Sequence, residues 1–178
     1  MVKREAALKS SDTITKKEII DLLNKCWMTH DGMWFFHCLQ EFGIDATNKI
    51  NKSAIKSLSS VEIKRIKSIL GFEKDIENFE EFKLFFIEAS KLMIPDFMNV
   101  RFSFSEENKM TWVFNQGKCF AYEGVNRLGV IDKYECGVLY RIKCWLEELE
   151  IKCRFSPEID KCIMHFNGNC SGNIELFF

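Results

Sequence analysis

The sequence MNVRFSFSEENKMTWVFNQ at residues 98–116 decides the fold class, because the hydrophobic periodicity changes there from helical to strand-like. Apolar and polar residues alternate along MNVRFSF, which is typical of a β-strand with one buried face. MTWVFNQ predicts a second strand, and SEENK between the two predicts the turn of an antiparallel hairpin. The residues before Pro95 have helical spacing instead, so a helical half precedes a half that contains strands.

Capping signals divide the first 95 residues into several helices. TKKE at 15–18 and SSVE at 59–62 have the spacing of a capping box before apolar residues, so each predicts a helix start. Two further apolar segments, 33–42 and 75–93, also have helical character. Residues that typically stop or cap helices follow three of the expected helices: Gly43 follows 33–42, Gly71 follows the helix expected after SSVE, and Pro95 follows 75–93.

The second half is expected to contain two helices and three further strands. KCFAYEGVNRL at 118–128 predicts the first helix, and Asp132 is the expected cap of the next. Asn167-Gly168 is the strongest hairpin signal in the chain, so it is expected to join two strands. The three strands are expected at 150–155, 160–166 and 173–178.

This order of elements predicts an α+β fold, in which an N-terminal helical half packs on a C-terminal antiparallel sheet with two helices. We expect residues 1–14 to form a flexible N-terminus. Residues 15–95 are the expected helical region and residues 96–178 the α+β region, and the two regions are expected to form one compact unit.

Composition and charge narrow the classes of partner. Hydrophobic residues make up 47% of the 178 residues, enough for a substantial core. The formal net charge of −1 provides no basic field, so we expect no binding to nucleic acid. The N-terminus is polar, without the apolar region of a secretory signal, and no segment approaches the length of apolar sequence that spans a membrane. The sequence therefore predicts a cytoplasmic protein that does not bind membranes.

The segment WMTHDGMWFFHC at 27–38 is the first candidate site. On a continuous helix, four side chains would fall on one stripe because their spacing is four, three and four residues: Cys26, His30, Met33 and His37. Such a stripe suits zinc or a late transition metal, and it is equally typical of a helix face packed in the core. A helix break at Gly32 would destroy the stripe.

The chain's eight cysteines give a second candidate. No C-x-x-C pair occurs, so neither a zinc knuckle nor a thioredoxin motif is encoded. Four widely spaced cysteines remain candidates for a thiolate site that would hold zinc or iron, with buried structural thiols as the alternative: Cys119, Cys136, Cys162 and Cys170. If Asn167-Gly168 is a hairpin turn, His165 pairs with Cys170, which would suit a nucleophilic thiol.

Two segments carry a resemblance to a known family. WMTHDGMWFFHCLQEFGIDATNKINKSAIK at 27–56 and KCFAYEGVNRLGVIDKYECG at 118–137 resemble segments of a family of prokaryotic cytosolic proteins that is similar to L-2-amino-thiazoline-4-carboxylic acid hydrolases. The layout of CWLEELEIKCRFSPEIDKCIMHFNGNC at 144–170 is similar to 4-vinyl reductase domains, which implies an α+β ligand-binding fold. The chain departs from the first pattern, because Leu39, Gln40 and Asn51 stand where acidic residues are expected.

These observations lead to three functional expectations. The first is a small-molecule or metal-binding domain with an aromatic-lined pocket, whose predicted ligand-binding residues are His30, Asp31, Trp34, His37 and Glu41. The second, implied by the resemblance, is a hydrolase that acts on a small heterocyclic or amide substrate with or without a metal. The third is an interaction protein whose exposed aromatic residues form a homodimer.

Overall fold

A computed structural model describes residues 10–105 and 107–178, and its fold belongs to the predicted α+β class. The helices are α1 (Lys16–Leu70), α2 (Phe79–Met93), α3 (Phe120–Arg127), α4 (Gly137–Glu148) and α5 (Ile163–Asn167), with short 3-10 turns at Ser11–Thr13 and Asp96–Met98. The strands are β1 (Val100–Ser105), β2 (Lys109–Phe114), β3 (Lys152–Ser156) and β4 (Ser171–Phe177). Most of the predicted flexible N-terminus, residues 1–9, lies outside the described residues.

Helix α1 has two arms joined at Gly43. It starts with the predicted capping box, in which the Glu18 amide donates to Thr15 Oγ1 and Glu18 Oε2 accepts from the Thr15 amide. At Gly43 the backbone has φ 75° and ψ 175°, a conformation that only glycine adopts without strain. We call residues 16–42 the first arm and residues 44–70 the second arm. Gly71, at φ 65°, ends the second arm as predicted.

One predicted helix start in this region is wrong, and the helix break considered at Gly32 does not occur. The first arm continues through Gly32, whose lack of a side chain lowers helix propensity without preventing helix formation. The second arm continues through Ser59, where a new helix was expected. Ser59 is buried in the middle of the arm, and its hydroxyl donates to the Ile55 carbonyl at 2.8 Å, so the hydroxyl does not cap a helix. Helix α2 starts later than expected, because the Asn78 side chain caps it by accepting from the Glu81 amide.

The sheet is antiparallel, with strand order β1-β2-β4-β3. The hairpin predicted from residues 98–116 is confirmed, with Val100 opposite Phe114 and Ser105 opposite Lys109. On β2 the side chains of Met110, Trp112 and Phe114 alternate into the core. The period-two pattern of the sequence therefore predicted the hairpin correctly, and the structure adds which side chains of β2 are buried.

The predictions for residues 160–168 are wrong. Ile163–Asn167 is the short helix α5 and not a strand, and Gly168 at φ 74° is its C-cap and not part of a hairpin turn. Asn-Gly favours the left-handed backbone conformation that both structures need, so the dipeptide alone does not distinguish a hairpin from a helix end. The N-cap of helix α4 is Cys136, four residues after Asp132, so the prediction of Asp132 as the cap is wrong.

The core lies between the helices and the sheet and draws residues from both halves of the chain. Helix α2 packs phenylalanines against the β1–β2 hairpin, and the Phe86 and Phe102 rings are 5.0 Å apart in an edge-to-face arrangement. The second arm of α1 packs along α4. No helix within the described ranges is both long enough and apolar enough to cross a membrane.

Candidate functional site

A cavity of about 650 Å³ lies between α1, α3, α4 and the sheet. Both arms of α1 form part of its wall, together with the residues that lead from α2 into β1. Its surface is mainly apolar and aromatic, with large contributions from Trp27, Phe35, Phe36, Ile55, Phe102 and Val125. A volume of this size and an apolar wall with a few polar groups are typical of sites for small organic molecules.

Arg141 of α4 is the most extensively fixed polar residue of the cavity wall. Its Nε donates to Glu62 Oε2 at 3.0 Å, its Nη2 donates to Glu62 Oε1, and the Trp145 indole N–H donates to the same carboxylate at 2.9 Å. Glu62 is only 7% exposed, so this ion pair is shielded from water. Two hydrogen bonds in a fork geometry hold the guanidinium in one orientation.

The Arg141 guanidinium also contacts an aromatic ring on the first arm of α1. Its central carbon lies 4.4 Å from the Trp27 ring centroid and 5.2 Å from that of Trp145. A cation over an aromatic face is attracted by the negative potential of the ring. Arg141 therefore connects α4 to both arms of α1, through Glu62 on the second arm and Trp27 on the first.

Asp31 lies on the first arm and lines the same cavity. Burial raises the pKa of its carboxyl group, while the charges of Arg141 and His30 act in the opposite direction. Its side chain is nevertheless accessible, because the cavity is open. Within residues 10–105 and 107–178, no hydrogen bond or ion pair reaches the Asp31 carboxylate. Among the residues that the structure describes, Asp31 is thus a charged group of the cavity wall without a hydrogen bond or an ion pair.

The structure separates Asp31 from the other predicted ligand-binding residues. The other four side chains of that set are outside the cavity lining: His30, Trp34, His37 and Glu41. The Trp34 indole N–H donates to His30 Nε2 at 3.2 Å, so these two residues contact each other on the outer surface. Of the five predicted residues, the cavity contains Asp31 alone.

The stripe of Cys26, His30, Met33 and His37 exists because the helix is continuous, but it does not pack in the core. All four side chains are exposed, and Met33 is 54% exposed. The interpretation as a core-facing helix stripe is therefore wrong. In the described part of the chain, no three His, Cys, Asp or Glu side chains are arranged to hold a metal ion, and this includes the stripe.

Sequence reasoning missed Glu62, Arg141 and Trp27 as a linked group. Glu62 was interpreted only as the last residue of a capping box, and Arg141 only as part of an apolar helix. The available signal was a single arginine among GVLYRIKCWL, since a charge on a strongly apolar helix face needs a buried partner. The sequence does not say which of 26 acidic residues supplies that partner.

The four predicted cysteines lie close together in the fold. Cys119, Cys136 and Cys162 are the N-cap residues of α3, α4 and α5, and Cys170 directly precedes β4. None of the three N-cap thiols makes a side-chain capping hydrogen bond, but nearby backbone N–H groups of the first turns act to lower the thiol pKa values: those of Ala121 and Tyr122, of Leu139, and of Met164 and His165. The charges of these four thiols affect one another's pKa values, so the thiols are near neighbours, and we call them the thiol cluster.

Burial keeps the thiol cluster protonated near neutral pH. It raises the pKa of Cys136 to about 12 and that of Cys170 to about 11, and the charges of neighbouring cluster thiols act in the same direction. The pKa values of Cys119 and Cys162 are also raised by burial. These thiols are therefore weak nucleophiles as they stand.

The predicted pairing of His165 with Cys170 across a hairpin is wrong. His165 is exposed on α5, and Gly168 ends that helix, so the two residues do not face each other on neighbouring strands. A nucleophilic pair at this position would also need a lowered thiol pKa, and that of Cys170 is raised.

Comparison with known proteins gives a family match. Residues 10–143 match the model of a family of unknown function, DUF6125. The match runs from the 3-10 turn before α1 into α4, and so includes Asp31, Glu62, Arg141 and two of the clustered cysteines. No curated protein and no solved structure matches the chain. Since the match covers more than half of the sequence, the chain belongs to the DUF6125 family of unknown function.

Proposed function

We propose that this protein is a cytosolic small-molecule-binding domain, with its ligand in the cavity between α1, α3 and α4. The observation that carries the proposal is the cavity itself, about 650 Å³ with a largely apolar and aromatic wall. Exposed apolar surface of this extent inside a fold is costly unless a ligand covers it. A drug-sized organic molecule has a suitable volume.

The polar groups of the cavity support a specific ligand rather than general apolar adsorption. Arg141 is held by Glu62 and Trp27 before any ligand arrives, so the ligand does not have to order it. Asp31 provides a second polar group in the same wall. Of the ligand-binding residues predicted from sequence the proposal retains Asp31, it also retains Trp27, which the sequence suggested as part of an aromatic pocket wall, and it adds Arg141.

Blocking the cavity tests this proposal. Ala54 lines the cavity and is exposed to it, so Ala54→Trp should fill part of the volume without disrupting a packed contact. Ile69→Trp is the matched control, because Ile69 lies on the same arm, is 74% exposed and does not line the cavity. The probe is the neutral fluorophore N-phenyl-1-naphthylamine, and its binding is measured by fluorescence titration.

We expect one probe per chain in the wild type and in Ile69→Trp, and at least a tenfold loss of affinity in Ala54→Trp. Circular dichroism and thermal unfolding establish that both variants are folded. Equal affinities in two folded variants would mean that the probe binds elsewhere, and the proposal would fail. Mass spectrometry of the native protein adds a direct search for a co-purified organic molecule.

Hydrolysis of a small heterocyclic or amide substrate is the alternative function of the same cavity. The raised pKa of Asp31 brings that carboxyl group closer to the working range of a general base. The other acid–base residues considered for the hydrolase, His30, His37 and Glu41, lie outside the cavity lining. Substrate turnover that is lost in Asp31→Asn would favour this alternative over simple binding.

The thiol cluster supports a second candidate function, binding of one zinc or iron ion by Cys119, Cys136, Cys162 and Cys170. Backbone N–H groups in the first turns of α3, α4 and α5 act to lower the thiol pKa values against the effect of burial, and such groups stabilise thiolates. Because the described residues hold no ready-made arrangement around one ion, binding must draw the thiols together. It must also release their protons, so the affinity should rise with pH.

Cobalt(II) is a suitable probe for this candidate, because a tetrahedral thiolate site gives it strong charge-transfer absorption. We expect reduced wild-type protein to bind one Co²⁺ with that absorption and zinc to displace it. Cys162→Ser should lose the absorption, while Cys153→Ser, on β3 away from the cluster, should keep it. Absence of the absorption from the wild type, or equal loss in both variants, would contradict a metal site at the cluster.

A further inference from the structure

We propose that the cavity selects a protonated organic amine, an ammonium group on an apolar or aromatic body, with the Asp31 carboxylate as its counter-ion. This inference rests on the proposed function, because it names the class of ligand for the same cavity. Three observations carry it: the charges of the cavity wall, the surroundings of Asp31, and the aromatic residues beside it.

No cation among the described residues forms an ion pair with Asp31, although the charges of Arg141 and His30 act on its carboxylate from a distance. Among the described residues, the charged residues of the lining are Asp31, Arg127 and Arg141. Arg141 forms a two-point ion pair with Glu62, so its charge is already offset. Arg127 is at the outer edge, with a side chain that is 80% exposed and 3.8 Å from Glu123. With Asp31 ionised, the interior of the cavity therefore carries a net negative charge.

The Asp31 carboxylate is accessible, but the apolar wall beside it removes part of its hydration and no hydrogen bond or ion pair among the described residues replaces that part, so its ionised form is disfavoured. An ammonium group in the cavity would provide both to Asp31. An anionic ligand would be repelled by Asp31, and the Arg141 fork that could attract it already binds Glu62. A neutral ligand would leave the carboxylate as it is. The charge of the site thus favours a cation over the other two classes.

The aromatic wall near Asp31 suits the same ligand. Trp27 already has a cation, the Arg141 guanidinium, 4.4 Å from its ring centroid. Phe35 and Phe36, four and five residues along the same arm from Asp31, add further aromatic surface to the lining. Aromatic faces attract ammonium groups and at the same time cover an apolar body.

Three compounds with one ring system and different charges test the inference: 1-naphthylmethylamine, 1-naphthylmethanol and 1-naphthoic acid. Their affinities are measured by calorimetry on the wild type, Asp31→Asn and Glu41→Gln. The last variant is the charge control, because it removes a carboxylate from the same arm outside the cavity. We expect the amine to bind the wild type and Glu41→Gln at least tenfold more tightly than the alcohol, and the acid to bind more weakly than the alcohol.

In Asp31→Asn the advantage of the amine over the alcohol should disappear, while the affinity for the alcohol stays within about twofold. The inference would be overturned if the wild type bound amine and alcohol equally, or if Asp31→Asn kept the preference. Binding to Ala54→Trp shows whether a negative result refutes only the amine preference or also refutes ligand binding in the cavity. If the alcohol binds and Ala54→Trp abolishes its binding, the cavity binds ligands and only the amine preference is refuted. If none of the three compounds binds the wild type, both proposals are contradicted for this class of ligand.

Discussion

The two arms of α1 have similar lengths but make different contacts with the rest of the molecule. The second arm buries four polar residues, Thr47, Asn48, Ser59 and Glu62, and each of them has a hydrogen-bond partner. The first arm buries one, Asn24, and exposes several large apolar side chains: Ile19, Leu22, Leu23, Met33, Trp34 and Phe42. Thr47 and Ser59 bond to carbonyls of α1 itself, whereas Glu62 fixes the second arm on α4 and Asn48 fixes it on the loop before α4. The first arm is attached mainly through Asn24, Trp27 and the cavity wall.

The two arms therefore have different structural roles. The Asn48 side chain donates to the Lys133 carbonyl at 2.9 Å and accepts from the Glu135 amide, so it fixes the loop that leads into α4. Buried polar groups with complete hydrogen bonding specify one arrangement, because any other arrangement leaves them unsatisfied. The second arm therefore defines the position of α4. The first arm contributes the cavity wall and an apolar outer surface.

The largest effect is expected from breaking the contact of the second arm with α4. Glu62→Ala leaves the Arg141 guanidinium buried without its carboxylate, which should lower the free energy of unfolding by about 3 to 5 kcal/mol. Urea unfolding followed by tryptophan fluorescence measures the change. The matched control on the first arm is Glu41→Ala, which removes an exposed carboxylate and should cost less than about 0.5 kcal/mol. Equal losses in the two variants would refute the distinction between the arms.

Adding a side chain at Gly43, where the two arms join, should lower the free energy of unfolding by a smaller amount. Gly43→Ala forces alanine into a backbone conformation typical of glycine, at an expected cost of about 1 to 3 kcal/mol. The added methyl group would meet nothing within 4 Å, so the cost comes from the backbone alone. Gly32→Ala, within the continuous first arm, should instead stabilise the protein by about 0.5 to 1 kcal/mol. Thermal unfolding of both variants measures whether each substitution lowers or raises the stability. A stabilised Gly43→Ala would contradict the interruption of the helix at Gly43.

The exposed apolar residues of the first arm should contribute little to the stability of one chain. Leu22→Gln combined with Leu23→Gln is expected to change the free energy of unfolding by less than about 0.5 kcal/mol. If the predicted homodimer forms through this surface, the double variant should sediment as a monomer where the wild type sediments as a dimer. A large loss of stability at protein concentrations where the wild type is monomeric would show that the first arm packs more tightly than described.

The smallest effect concerns Asp31 and its dependence on pH. Because burial raises the pKa of Asp31 in the folded protein, the folded state holds this proton more tightly than the unfolded chain does. Stability from this group is therefore present at low pH and is lost as pH rises through the folded pKa. Asp31→Asn should be more stable than the wild type by a few tenths of a kcal/mol at pH 7, a small value because the group is accessible. The difference should vanish below about pH 4, near the unfolded pKa, and unfolding curves at several pH values check this.

Local sequence signals predicted the helix ends and strands that are determined by residues within one short segment. The capping box at Thr15, the C-cap at Gly71 and the β1–β2 hairpin all follow from spacing and alternation within short segments. Errors arose where tertiary contacts override a local signal. SSVE has the spacing of a helix start, but Ser59 is buried against α4 in a helix that is already formed. Asn167-Gly168 fits two structures equally well, and the packing of α5 selects the helix end.

The candidate site was only partly predictable for a related reason. Asp31 was found because it stands among aromatic residues in one short segment. Glu62 and Arg141 are 79 positions apart, and their pairing depends on how α1 lies against α4. The four cysteines were identified as a set by residue type alone, and the structure adds that three of them are helix N-caps. Residue type is visible in a sequence, whereas the meeting of distant elements requires the fold.

The strand order β1-β2-β4-β3 has a consequence for the order in which the protein folds. The β1–β2 hairpin can form as soon as residue 114 is made, but β3 pairs only with β4. Until Ser171–Phe177 has left the ribosome, the second edge of β2 is open and Trp112 lacks the cover of Gly172. An open strand edge beside an uncovered tryptophan can pair with other chains. During synthesis the sheet therefore stays incomplete, with one edge of β2 open, for longer than its early hairpin suggests.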